Sequence, residues 1–133
     1  MNLRTTFKIN PAETKIDYKS PVMFIGSCFA SEIGKKMEEG RLPVIINPSG
    51  TVYNPISVLN TLDFIINNRK LSDEDLYNNN GEYLSFNHYT NFTSSNRDKC
   101  LAGINASTQT AHEFMAKAKL LFITFGTARV YRF

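Results

Sequence analysis

Only two cysteines, Cys28 and Cys100, occur in the 133 residues, too few and too far apart for a disulfide framework. No Cys-x-x-Cys or Cys/His ligand spacing occurs either, which removes a structural zinc site. Histidine is equally scarce, so a serine–histidine pair within these residues must use His88 or His112. No apolar run approaches the roughly 18 residues that span a bilayer, and Met1–Lys8 lacks the apolar core of a secretory signal. The expectation is a soluble, cytoplasmic chain with no membrane partner. Basic residues outnumber acidic ones by 15 to 12, but no basic run exceeds Lys35-Lys36 or Arg69-Lys70, and phosphate backbones need a contiguous basic patch. Nucleic acid is therefore not an expected partner. Internal repeats, heptads and low-complexity tracts are absent, and a hydrophobic content of 42% is that of one globular unit.

What is present alternates between strand and helix signals. Residues 1–20, with Pro11 and scattered polar groups, read as an irregular lead-in. Val22-Met23-Phe24-Ile25 is apolar throughout and bounded by Pro21 and Gly26, the pattern of a strand covered on both faces. Ala30, Ile33, Gly34 and Met37 then mark one side of a helix that Gly40 ends. Val44–Ile46 reads as a second strand, residues 47–54 as a polar loop, and Pro55 as the opening of a second helix running to Asn67. Ser72 followed by Asp73-Glu74-Asp75 resembles the acidic start of a short helix. Asn78-Asn79-Asn80-Gly81 is a turn signal, and the aromatic stretch after it forms either a hairpin or a loop over the site. The spacing predicts a last helix from about Thr108 to Lys119, and Leu120–Phe125 as a third doubly covered strand. The sum is an α/β sandwich with parallel strands and right-handed crossovers.

Ser27 stands at the carboxyl end of the first strand and the start of the first helix, where open α/β sheets bind their ligands. A serine there can serve as a nucleophile or cap the helix with its hydroxyl. Cys28 shares the helix amino terminus, where a thiol is activated, although a buried, inert side chain under the turn is the favoured reading. His112, beside Glu113, is expected on the surface of the last helix.

Gly26-Ser27-Cys28-Phe29-Ala30 is similar to the signature of the GSCFA family. Asn47-Pro48-Ser49-Gly50-Thr51-Val52-Tyr53-Asn54-Pro55 resembles that family's second block. Thr124-Phe125-Gly126-Thr127-Ala128, followed by Val130-Tyr131-Arg132, resembles its third. The family looks like a branch of the SGNH (GDSL-type) hydrolases, which implies a three-layer, flavodoxin-like sandwich. It also implies an ester hydrolase or acyltransferase working through a serine acyl-enzyme, with an acylated carbohydrate as one candidate substrate. In that resemblance Ser27 is the nucleophile and its own N–H an oxyanion donor, Gly50 or a neighbour supplies a second donor, and Gly126-Thr127-Ala128 occupies the place of Gly-x-Asn-Asp. The Thr127 hydroxyl then replaces the missing amide. His88, where the family often has paired histidines and Tyr89 replaces the second, is read either as a substrate contact or as a structural histidine. No cofactor or metal is implied.

The resemblance covers the amino-terminal portion of a single domain, residues 1–133, and the expected Asp-x-x-His block is not among them. The sheet is then expected to be incomplete at its carboxyl end, open to self-association through its edge. Loss of a triad member leaves only about 10³–10⁴-fold catalysis, so these residues alone are expected to be nearly inert. The alternatives are a noncatalytic binding or assembly module and a truncated gene product.

Overall fold

The computed structural model describes residues 5–130. Its centre is a strand, β1 (Val22–Gly26), whose five residues are all buried. The chain turns through Ser27 into α1 (Cys28–Glu39) and returns as β2 (Val44–Ile46). It then enters α2 (Pro55–Ile66), a hairpin of β3 (Tyr77–Asn79) and β4 (Glu82–Leu84), α3 (Arg97–Met115) and β5 (Leu120–Thr124). The main sheet has the order β2-β1-β5 and both of its pairings are parallel.

A parallel strand needs cover on both faces because its side chains alternate, and β1 receives it. Met23 and Ile25 face Val58 and Ile65 of α2 and Ala111 of α3. Val22 and Phe24 face Ala30 and Met37 of α1. Full burial of residues such as Met23 and Ile25 is worth about 1.5–3 kcal/mol apiece. The chain is thus a small α/β fold with a three-stranded parallel sheet and three helices. No helix among the described residues is long and apolar enough to cross a membrane.

Local chemistry sets the element ends. Asn54 accepts the Ser57 N–H at 2.9 Å and Pro55 fills the first position of α2. Ser72 and Asp75 form a reciprocal capping box on the short 3₁₀ turn Asp73–Asp75. Asn80 (φ 52°) and Gly81 (φ 91°) both take left-handed backbone between β3 and β4, the requirement of a type I′ hairpin turn. The aromatic stretch therefore begins as a hairpin strand and continues as a loop.

Two expectations are corrected. The last helix starts at Arg97, not near Thr108, and ends at Met115, short of Lys119. Asn96 caps it by accepting the Lys99 N–H at 2.8 Å. Its buried stripe is Cys100, Ile104, Thr108 and Ala111, in which Ile104 is the one large apolar side chain and the others are small or polar. The second correction concerns β5, which is not doubly covered: Leu121, Phe122 and Ile123 are each about 40% exposed. It occupies an edge of the sheet, with Phe122 stacked on Phe24 at 5.0 Å between ring centroids.

Candidate functional site

The site is built where β1 and β5 end side by side. Gly26 pairs with Thr124 at a φ of 143° that L side chains avoid, and a Cβ on Gly26 would stand 2.0 Å from the Thr124 carbonyl oxygen. Only glycine allows that approach, and the approach fixes Ser27. The Ser27 N–H donates to the Thr124 carbonyl at 3.2 Å and to Thr124 Oγ1 at 3.1 Å. Ser27 Oγ and Thr124 Oγ1 share a further hydrogen bond of 2.9 Å. Ser27 is buried and holds the N-cap position of α1, yet its hydroxyl makes no bond to the helix backbone. The capping role is filled by position alone.

Asn47, in the left-handed region at φ 44°, braces the same turn. Its Oδ1 accepts the Gly26 N–H at 2.7 Å, its Nδ2 donates to Ser31 Oγ at 2.8 Å, and its backbone N–H donates to the Phe24 carbonyl at 2.8 Å. One side chain thus ties β1 to the first turn of α1. Neither Thr124 nor Asn47 was singled out from sequence. The available signals were a lone hydroxyl closing the apolar run Leu120–Thr124, and an asparagine opening a loop that demands positive φ.

Gly126 belongs to this corner. A Cβ there would lie 3.5 Å from Ser27 Cβ and 2.8 Å from Tyr53 Cδ1. The backbone donors are already engaged: Gly126 and Thr127 N–H both donate to the Tyr53 carbonyl, at 2.8 and 3.0 Å, and Gly50 N–H donates to the Asn47 carbonyl at 2.7 Å. The Thr127 hydroxyl accepts the Arg129 N–H at 3.1 Å. Gly50 (φ 86°) is packed under Tyr89, where a Cβ would come within 2.1 Å of Tyr89 Cβ.

His88 points elsewhere. Its ring lies edge-on to Phe64 (5.4 Å) and Phe92 (5.6 Å), beside a cluster of Phe64, Leu71, Cys100 and Ile104. Nδ1 is 3.1 Å from Ser85 Oγ, while the buried Nε2 has no partner. Burial lowers its pKa from 6.5 to about 4, so the ring is neutral at pH 7. No imidazole bonds to Ser27. His112 is half-buried rather than on the surface, its Nδ1 donating to the Ile65 carbonyl at 2.9 Å, a clasp between α3 and α2. The expectation for Cys28 is also corrected: its side chain is exposed at the start of α1, and Cys100 is the buried thiol, its pKa raised by that burial. No group of three or more His, Cys, Asp or Glu among the described residues could hold a metal ion.

The Ser27–Thr124 contact can be tested directly. Thr124→Val keeps the strand-favouring branch but leaves the buried Ser27 hydroxyl unpartnered, at an expected cost of about 1–2 kcal/mol. A double-mutant cycle with Ser27→Ala, followed by denaturant unfolding, should return a coupling of at least about 0.5 kcal/mol. Additive losses would mean that the two hydroxyls do not interact.

No curated protein and no solved structure matches the chain. The family model described as GSCFA family matches residues 21–133, a span that holds Ser27, Asn47, Gly50, Thr124 and Gly126 together with both helical layers. The chain belongs to the GSCFA family.

Proposed function

We propose that Ser27 is the nucleophile of an SGNH-like ester hydrolase or acyltransferase, and that residues 21–133 are the amino-terminal part of its domain. The observation that carries this reading is the Ser27 hydroxyl itself, which is bonded to Thr124 Oγ1 at 2.9 Å instead of to the helix it precedes. Thr124 Oγ1 already accepts the Ser27 N–H. When its own proton goes to Ser27 Oγ, the serine proton is left for an incoming base. The first N–H groups of α1, those of Cys28, Phe29 and Ala30, precede the first intrahelical bond, which Ser31 N–H makes to the Ser27 carbonyl. Orphan amides with the helix dipole behind them suit a developing oxyanion. They replace, in this reading, the backbone N–H donors that Ser27, Gly50, Gly126 and Thr127 spend inside the fold.

The base would come from the Asp-x-x-His block that SGNH-like enzymes carry beyond these residues, not from His88. The reaction would be attack of Ser27 Oγ on an acyl carbon with its proton passing to that base, return of the proton to the alcohol as the ester C–O bond breaks, and attack of water or an acceptor alcohol on the acyl-Ser27 to release the acid or the new ester. An acylated carbohydrate is one ester of this class, and the expected setting is the cytoplasm. A fluorophosphonate probe should label Ser27 in the protein isolated from its native cells, and Ser27→Ala should remove the label. A folded protein that leaves Ser27 unlabelled would overturn the assignment. That result would favour a second reading, a noncatalytic binding module, whose support is that no base bonds to Ser27 among the described residues.

A further inference from the structure

β2 is a three-residue strand whose outer side is bare backbone. Val22 N–H donates to the Pro43 carbonyl at 2.9 Å and Asn47 N–H to the Phe24 carbonyl at 2.8 Å. Pro43, Ile45 and Asn47 therefore turn their backbone groups toward β1, and the parallel ladder directs the N–H and C=O of Val44 and Ile46 outward. An open edge of this kind is a template for another strand. A groove of about 520 Å³ runs along it, floored by Val44 to Pro48 and walled by Ser31, Lys35 and Glu38 of α1 and by Ser107 and Thr110 of α3. Lys35 is occupied by Glu32 at 2.9 Å, whereas Glu38 has no ion-pair partner among the described residues.

The same chain carries a segment suited to that groove. Residues 5–18 are exposed throughout, and the first hydrogen bonds along the described chain are those between Asp17 and Lys19 or Ser20. Within Thr5-Thr6-Phe7-Lys8-Ile9-Asn10, apolar and polar side chains alternate with the period of a strand. Phe7 is 77% and Ile9 75% exposed, two large apolar side chains two residues apart and so on one face of an extended segment.

We propose that residues 5–10 of a second copy add as a strand to the outer edge of β2, in a reciprocal dimer. Lys8 then faces the α1 wall and Glu38, while Phe7 and Ile9 face the α3 side, where Ile45 already packs. Main-chain bonds to Val44 and Ile46 supply attachment and the alternating side chains supply register, the logic of strand addition. Within one chain no arm residue lines the groove or pairs with β2, and a two-fold exchange fills both grooves at once. Exchange of both arms doubles the surface that a single strand addition would bury, toward the roughly 1,200 Å² that a specific interface needs.

The test uses the whole chain. Light scattering should give the mass of a dimer, and amine cross-linking of mixed isotope-labelled and unlabelled protein should join Lys8 of one chain to Lys35 of another. Phe7→Asp with Ile9→Asp alters two side chains that are each at least 75% exposed, so the urea midpoint of the monomer should be unchanged while the dimer dissociation constant rises at least about tenfold. The proposal is overturned by a monomeric mass, by Lys8–Lys35 links confined to single chains, or by links from Lys8 to Lys117 or Lys119 beside β5. It is equally overturned by a dimer that survives the double substitution.

Discussion

Replacing Gly26 with alanine is expected to cost at least about 4 kcal/mol and to remove a cooperative denaturant transition at room temperature. Two independent penalties combine. The backbone sits at φ 143°, a region open to glycine alone, and forcing an L residue there costs about 1–3 kcal/mol. The new Cβ would also lie 2.0 Å from the Thr124 carbonyl oxygen and 2.8 Å from the Thr124 nitrogen, backbone atoms in the neighbouring strand that cannot yield without breaking the β1–β5 ladder. Effects above about 4 kcal/mol arise from a short list of mechanisms, and backbone overlap in a central strand is one of them. Gly81→Ala is the control. Gly81 also has positive φ, at 91°, but a Cβ there meets nothing within 4 Å, so only the conformational term of about 1 kcal/mol remains. Urea unfolding monitored by circular dichroism should show a cooperative transition for Gly81→Ala, with its midpoint only modestly lowered, and none for Gly26→Ala. Equal losses would show that the close approach of Gly26 to Thr124, and with it the placement of Ser27, is not as described.

That glycine also marks how far the sequence could be read. Val22–Ile25 announced itself because a central parallel strand is apolar on both faces, and its burial is complete. Pro55 and Asn80-Gly81 were legible for local reasons, one through a preset φ and the other through a turn that needs two positive φ values. The first half of α3 was not legible, because only Cys100 and Ile104 pack against Phe64 and Leu71 there, too few apolar positions to announce a helix. The exposure of β5 was hidden from composition for the opposite reason, although the resemblance led to the expectation of an open edge at the carboxyl end of the sheet. Leu120–Phe125 carries the composition of a core strand while standing at an edge, and composition records what a strand can pack against, not whether a neighbour is there.

The candidate site divides along the same line. Ser27 was visible from its position after a strand and before a helix, which is a local property. Thr124 lies 97 residues away and reaches Ser27 only because β5 pairs beside β1, a long-range fact with no local signature. Asn47 likewise acts across 21 residues. His88 shows the converse. An imidazole in an aromatic-rich loop suggested a site residue, but its two aromatic neighbours, Phe64 from α2 and Phe92 from the next turn, hold it away from Ser27.

The buried ring makes His88 the source of the second large effect, a loss of stability between pH 6.5 and about 4. In the folded chain burial holds the imidazole neutral down to about pH 4, whereas its ordinary pKa is 6.5. Above pH 6.5 both states are neutral and the residue contributes nothing to the pH dependence. As pH falls below 6.5 the unfolded chain takes up a proton that the folded chain refuses, so the unfolded state is favoured. The loss is complete once pH has passed the folded pKa, and it reaches about 3 kcal/mol from the separation of the two values. Asp17, accepting from the Ser20 hydroxyl, and Asp75, accepting from the Ser72 N–H, are both held below their ordinary 3.8. Their stabilisation is lost as pH falls through their own lowered folded values, below the window from 6.5 to about 4 in which His88 acts. Urea unfolding at a series of pH values should show this slope, and His88→Gln should remove it whatever its offset at pH 7. A proton NMR titration of the His88 ring in the native protein should give a midpoint near 4. A midpoint near 6.5, or a slope unchanged in His88→Gln, would mean that the ring is solvated and free to reach the Ser27 corner after all.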